Sequence, residues 1–129
     1  MRSTFIPIQG TFDIAHARAS LRVHMAAQHW STRFCARATI AITALGELII
    51  AAEHGGVATV RVSIHEGTKP GVELSCVVRL RSSNEHRLEQ AIATFDRTVD
   101  LLRAEERNGI LYITSRMYLE GKSDALPQL

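Results

Sequence analysis

The sequence predicts an α/β (α+β) two-layer sandwich, a mixed and mainly antiparallel sheet with helices on one face. Three observations predict it. Strand-like and helix-like segments follow one another as β-α-α-β-β-α-β-β between residues 4 and 119. The last two strand pairs are joined by short turns, at 66–71 and at Asn108-Gly109, so both are hairpins. Residues 32–53 place apolar side chains around most of a helical wheel, as a central, buried helix requires.

Each element has its own signal. Residues 4–8 (Thr-Phe-Ile-Pro-Ile) are short and extended, and Pro7 confines this strand to an edge or an end. Asp13 is read as the N-cap of a first helix that runs to about Gln28, with Ile14, Ala17, Leu21 and Met25 as its apolar stripe. Ser31 or Thr32 caps the second helix, which runs to about Glu53. Phe34, Ala38, Ala41, Ile42, Leu45, Leu48, Ile49 and Ala52 give it a wide apolar surface, and Ala44, Gly46 and Ala51 permit close approach by a neighbour. His54-Gly55-Gly56 ends it. Residues 57–65 alternate apolar and polar as a half-buried strand does, and residues 72–81 return as its hairpin partner. Ser82 or Ser83 caps a third helix with Leu88, Ala91, Ile92, Phe95, Val99 and Leu102 at spacings of three and four. Residues 104–119 form the second hairpin, where Asn108-Gly109 favours a type I′ turn.

The bulk properties fit one domain, residues 1–120, followed by a loose polar tail, 121–129, that contains Pro127. Of the 129 residues, 46% are hydrophobic and 22% charged, which excludes a disordered chain. Cys35 and Cys76 lie in apolar stretches without a CxxC spacing, so they read as buried free thiols rather than a disulfide framework or a zinc site. The first residues carry no long apolar core, and the run Ala38–Ala52 is interrupted by Glu47 and too short to cross a bilayer; the expectation is a cytoplasmic protein with no membrane contact. Charge is uneven. Residues 1–46 hold five arginines (Arg2, Arg18, Arg22, Arg33, Arg37) against one acid, Asp13, whereas residues 47–129 hold ten basic and twelve acidic residues. Arg18, Arg22, Arg33 and Arg37 are therefore the candidate partner surface.

Two stretches carry a family resemblance. Residues 6–23, with Ile6-Pro7-Ile8, Phe12-Asp13-Ile14 and Ala17-Arg18, and residues 37–56, with Ala44-Leu45-Gly46-Glu47-Leu48 and the closing His54-Gly55-Gly56, resemble the opening strand and first two helices of the GHKL (histidine-kinase-like) ATPase fold. Within it the chain resembles the anti-sigma-factor serine kinases of bacterial partner-switching modules, the RsbT/RsbW type; Val99 to Leu102 and Gly109 to Leu119 echo that family's last helix and hairpin. The resemblance implies a second helix that presents a catalytic glutamate and, one turn later, a magnesium-binding asparagine. Glu47 matches the glutamate and is the candidate catalytic residue, a vestigial base, but the asparagine position is Ala51, which has no oxygen for a metal. The family's adenine-reading Asp-x-Gly-x-Gly falls at about Arg79 to Asn84, which has neither aspartate nor glycine, and no glycine lies between Gly71 and Gly109 to form a phosphate-cradling lid. The expectation is a degenerate kinase scaffold without ATP or magnesium as cofactors: a non-catalytic regulatory domain that binds a protein, by the resemblance a STAS-domain antagonist or a sigma factor. The alternative is an active ATP-dependent serine/threonine kinase, or an anti-sigma factor, with a divergent nucleotide site. A homodimer is the weaker expectation for assembly, since the apolar strands leave edges to cover.

Bland readings outweigh sharper ones elsewhere. His16, His24 and His29 do not share a helix face at ligand spacing, so no metal is expected. His54 and Ser82/Ser83 read as helix-end residues, Arg79 and Arg81 as a solvated strand face, and Trp30 as a plug between two helices. Nucleic-acid binding ranks last, because the arginines lack interleaved aromatics.

Overall fold

A computed structural model describes residues 2–52, 57–80 and 85–119. The order of elements is β1 (Arg2–Ile8), α1 (Thr11–Ala26), α2 (Thr32–Ala51), β2 (Ala58–His65), β3 (Gly71–Arg79), α3 (Glu85–Asp96), β4 (Leu101–Arg107) and β5 (Ile110–Tyr118). The strands form one five-stranded sheet in the order β1-β2-β3-β5-β4.

Every neighbouring pair in that sheet is antiparallel, which corrects the expectation of a mixed sheet. The reason is the number of connecting helices. Two helices lie between β1 and β2, so the chain returns reversed. A single helix links β3 to β4 and leaves them pointing the same way, but β5 inserts between them and pairs antiparallel with both.

Alternation along the strands decides which face is covered. Ile6 and Ile8 on β1, Val60, Val62 and Ile64 on β2, Val72, Leu74, Cys76 and Val78 on β3, and Leu111, Ile113 and Met117 on β5 are buried in a single core with the helices. The opposite face carries Phe5, Val77 and Leu101, all more than half exposed. Ser115 is the polar member of the buried row, and its hydroxyl donates to the Leu74 carbonyl at 2.9 Å, so it costs no unsatisfied group. Pro7 does lie on an edge strand, paired with Thr59 across β2.

The helix starts follow the sequence with one correction. Asp13 is not the N-cap of α1. Gly10 is, and Asp13 sits one turn inside, where its carboxylate accepts from the backbone N–H of Gln9 at 2.7 Å and of Gly10 at 3.2 Å. The acid still satisfies the N-cap amide, and that of the residue before it, but from the third helical position. For α2 the cap is Ser31, whose Oγ accepts from the Phe34 N–H at 3.1 Å. The expected caps of α3 at Ser82/Ser83 and the end of α2 at His54-Gly55-Gly56 lie outside the described residues, as do Arg81 and the tail. Asn108 and Gly109 both have positive φ, 54° and 76°, as the type I′ turn demands. Val99 and Leu102 lie outside α3, Val99 in the turn that follows it and Leu102 in β4, so the helix ends sooner and the second hairpin starts earlier than the spacing suggests.

Helix α2 occupies the middle of the helical layer, between α1 and α3, and Phe34, Ala38, Ala41, Ile42, Leu45, Leu48 and Ile49 are fully or almost fully buried. At 20 residues and a mean hydropathy of 1.7 it is long and apolar enough to cross a membrane by length and composition, so length does not argue against a span as the shorter run Ala38–Ala52 suggested. Its apolar stripe is instead covered by the sheet and the flanking helices. The approach of α1 depends on Gly46: a Cβ there would lie 2.6 Å from Cγ1 of Ile14. Trp30 is half-buried and meets Phe34 edge to face, with ring centroids 5.3 Å apart, plugging the α1–α2 junction as expected.

Gly46→Val should destabilise the domain by about 1–3 kcal/mol through overpacking, and adding Ile14→Ala should recover part of the loss. Urea denaturation of the two variants beside the parent chain measures both.

Candidate functional site

An open groove of about 380 Å³ runs over the solvent side of α2. Its walls come from three helices. Arg18 and Arg22 line it from α1, Thr94 and Thr98 from the end of α3 and the turn after it, and Thr39, Ile40, Thr43, Ala44 and Glu47 form its floor on α2. Spacing explains the floor: Ile40, Thr43 and Glu47 recur at three and four residues on the side of α2 turned away from the sheet. Glu47 is exposed there, and Ile40 is 60% exposed, so an apolar side chain and a carboxylate share one accessible surface.

The polar groups are sorted by wall. The hydroxyls of Thr39 and Thr43 donate to the carbonyls of Cys35 at 2.8 Å and Thr39 at 2.9 Å, and those of Thr94 and Thr98 donate to Gln90 at 3.0 Å and Phe95 at 2.6 Å. Each of the four hydroxyl protons is spent on backbone, and Oγ1 of Thr94 also accepts from Nη2 of Arg97 at 3.4 Å, so the threonines offer their remaining lone pairs and their methyls to the groove. Glu47 adds a further acceptor when ionised. Arg18 and Arg22 offer only donors. Among the described residues none of these three charged side chains has a hydrogen bond or ion pair. The groove therefore has a donor wall on α1 and an acceptor floor on α2 and α3, with its charges unspent.

The candidate partner surface divides. Arg18 and Arg22 meet at the groove together with Glu47. Arg33 is exposed but does not line it. Arg37 is a structural residue: its Nη2 lies 3.2 Å from Oδ1 of Asp100, both side chains are largely buried, and its guanidinium lies 6.0 Å from the Phe34 ring centroid. The other oxygen of Asp100 accepts from the Tyr118 backbone N–H at 2.8 Å. Asp100 thus ties the start of α2 to the end of the last strand, a link that residues 63 apart in sequence do not advertise.

Ala51 is buried and does not line the groove that Glu47 faces. No cluster of three or more His, Cys, Asp or Glu side chains that would hold a metal occurs among the described residues. His24 is engaged with Thr4, its Nε2 3.0 Å from the hydroxyl. Arg79 is exposed at the end of β3, as a solvated strand residue is.

Both thiols are free; Cys76 is buried as expected, whereas Cys35 is only half-buried, which corrects the reading of both as buried. Burial pushes the Cys76 thiol up to about 12 from its ordinary 9.0 and raises that of Cys35 by the same desolvation. Against known proteins, the chain matches no family profile and no curated sequence.

Two outcomes are expected. Cys76 should resist a thiol reagent such as DTNB at pH 8 in the folded chain and react after denaturation. Because its folded pKa lies above the unfolded one, the stability it contributes is complete below about pH 9 and is lost as pH rises toward 12, which alkaline unfolding curves of the parent and a Cys76→Ala variant would register. Asp100→Ala removes an acceptor from both the Arg37 guanidinium and the Tyr118 N–H and should cost about 1–3 kcal/mol by chemical denaturation.

Proposed function

We propose that this chain is a non-catalytic regulatory domain that binds a protein, with a scaffold like that of the partner-switching serine kinases and no use for ATP or magnesium. The observation that carries the reading is the groove. Two arginines with no partner among the described residues stand on α1, across from an exposed carboxylate, with the exposed Ile40 between the helices.

Such an arrangement suits an extended or helical protein segment better than a nucleotide. An acidic side chain of the partner meets Arg18 and Arg22; its amide or ammonium donors meet Glu47 and the threonine lone pairs; an apolar residue covers Ile40. Exposed arginines govern association more than residence, so the complex forms faster at low salt. By analogy with the family the partner is a STAS-domain antagonist or a sigma factor, met in the cytoplasm. Glu47 binds rather than abstracts protons in this reading, since Ala51 leaves it no metal-held phosphate to act on.

The second reading is an ATP-dependent serine/threonine kinase with a divergent site, and the exposure of Glu47 is what favours it. Calorimetric titration with magnesium and ATP separates the two. No heat up to about 1 mM nucleotide is expected, and micromolar binding would favour the kinase and sink the regulatory module. A protein recovered from native extract by the parent chain should be lost, about tenfold or more, by an R18E/R22E variant that melts within a few degrees of the parent. Equal recovery by both would remove the groove from the docking surface.

A further inference from the structure

One edge of the sheet is open and carries a pattern that is its own complement. Strand β4 borders β5 on one side and nothing among the described residues on the other. Its sequence is Leu101-Leu102-Arg103-Ala104-Glu105-Glu106-Arg107, with no proline or glycine to blunt it, and every residue but Leu102 is exposed. Seven residues of unpaired edge backbone are a template for another strand.

The two-residue turn at Asn108-Gly109 sets which backbone groups are free. It is closed by the pair Arg107↔Ile110, and the pair next to a type I′ turn exchanges both of its hydrogen bonds. Alternation from there directs the amides and carbonyls of Arg103 and Glu105 toward β5 and leaves those of Leu102, Ala104 and Glu106 facing outward.

A second copy pairing antiparallel about a twofold axis through Ala104 places Ala104 opposite its own equivalent. Leu102 then lies opposite Glu106, and the three outward-facing residues of each strand bond in full. On the open face of the sheet Arg103 of each copy lies opposite Glu105 of the other, and Leu101 opposite Arg107. Neither Arg103 nor Glu105 has a partner within the chain among the described residues. Shifting the axis to Arg103, Glu105 or Glu106 sets that residue against its own like charge, which is unfavourable directly across a strand pair. Centring on Leu102 avoids that but shortens the overlap. Charge and length of overlap thus select the same register, and the backbone phase is compatible with it, with two Arg–Glu pairs formed by one symmetric contact.

We propose that β4 is a self-pairing edge through which two copies of this chain join their sheets across Ala104. A single strand pair buries less than the ~1,200 Å² of stable complexes, so the dimer is weak, with a micromolar dissociation constant.

Sedimentation equilibrium of the full chain over a concentration series, in low salt, tests it. The weight-average mass should rise from 14.3 kDa toward twice that value. R103E and E105R, each made alone, set like charges opposite one another in both symmetric pairs and should weaken association about tenfold or more. The double variant R103E/E105R restores opposite charges and should return it to near the parent value. Ala104→Pro removes the central outward N–H without touching the bonds to β5 and should leave a monomer, with a melting curve confirming that it folds. A parent chain that stays monomeric to about 1 mM, or a dimer indifferent to the single reversals and to Ala104→Pro, would overturn the proposal.

Discussion

Helix α2 must be hidden on three sides at once, and the positions of the other elements follow from that demand. Its buried residues leave no continuous polar face; they leave a narrow strip marked by Ile40, Thr43 and Glu47. The sheet covers one flank, and α1 and α3 close on the others. Covering α2 from α1 requires the bare backbone of Gly46, since any side chain there meets Ile14. The strip that remains lies at the bottom of a channel between two helices, so the one accessible part of the most buried helix becomes the floor of the groove. Packing and the candidate site have one cause: the side chains that fill the core decide which few do not.

The same helix is pinned at its start by Arg37 and Asp100. Charge pairs this far out of water cost as much as they return unless their remaining hydrogen-bonding capacity is used. Here the second carboxylate oxygen holds the Tyr118 amide and the guanidinium lies near the Phe34 ring. The arrangement fixes where the layer of helices ends relative to the hairpin β4–β5. It also explains why the basic first third of the chain is not one surface. Arg37 is consumed by structure, while Arg18 and Arg22 remain available to a ligand.

Much of the fold was legible in the sequence because it rests on local signals. Periodicity identified the stripe Ile14, Ala17, Leu21 and Met25, which is buried as read, and Asn108-Gly109 identified its turn. The errors have physical reasons. Asp13 does the work of capping from inside the helix, and composition alone does not distinguish that position from the cap itself. Gly71 reads as the end of a turn, yet it begins β3 where the Met117 carbonyl passes too close for any side chain, a contact made by residues far apart in the chain. Whether the sheet was mixed depended on the insertion of β5 between β3 and β4, which no local pattern encodes. Of the site, Glu47 is singled out by the family resemblance, but its place in one groove with Arg18 and Arg22 is a product of helix packing.

The two margins of the sheet are chemically unlike. At the β1 margin Pro7 removes a backbone donor and sets a rigid ring along the strand, so hydrogen bonding cannot propagate there in step. A sheet that is receptive on one side and blunt on the other has no route to continuous growth. Pairing through β4 alone would close at two copies, while Pro7 blunts the margin at which a further sheet would otherwise add.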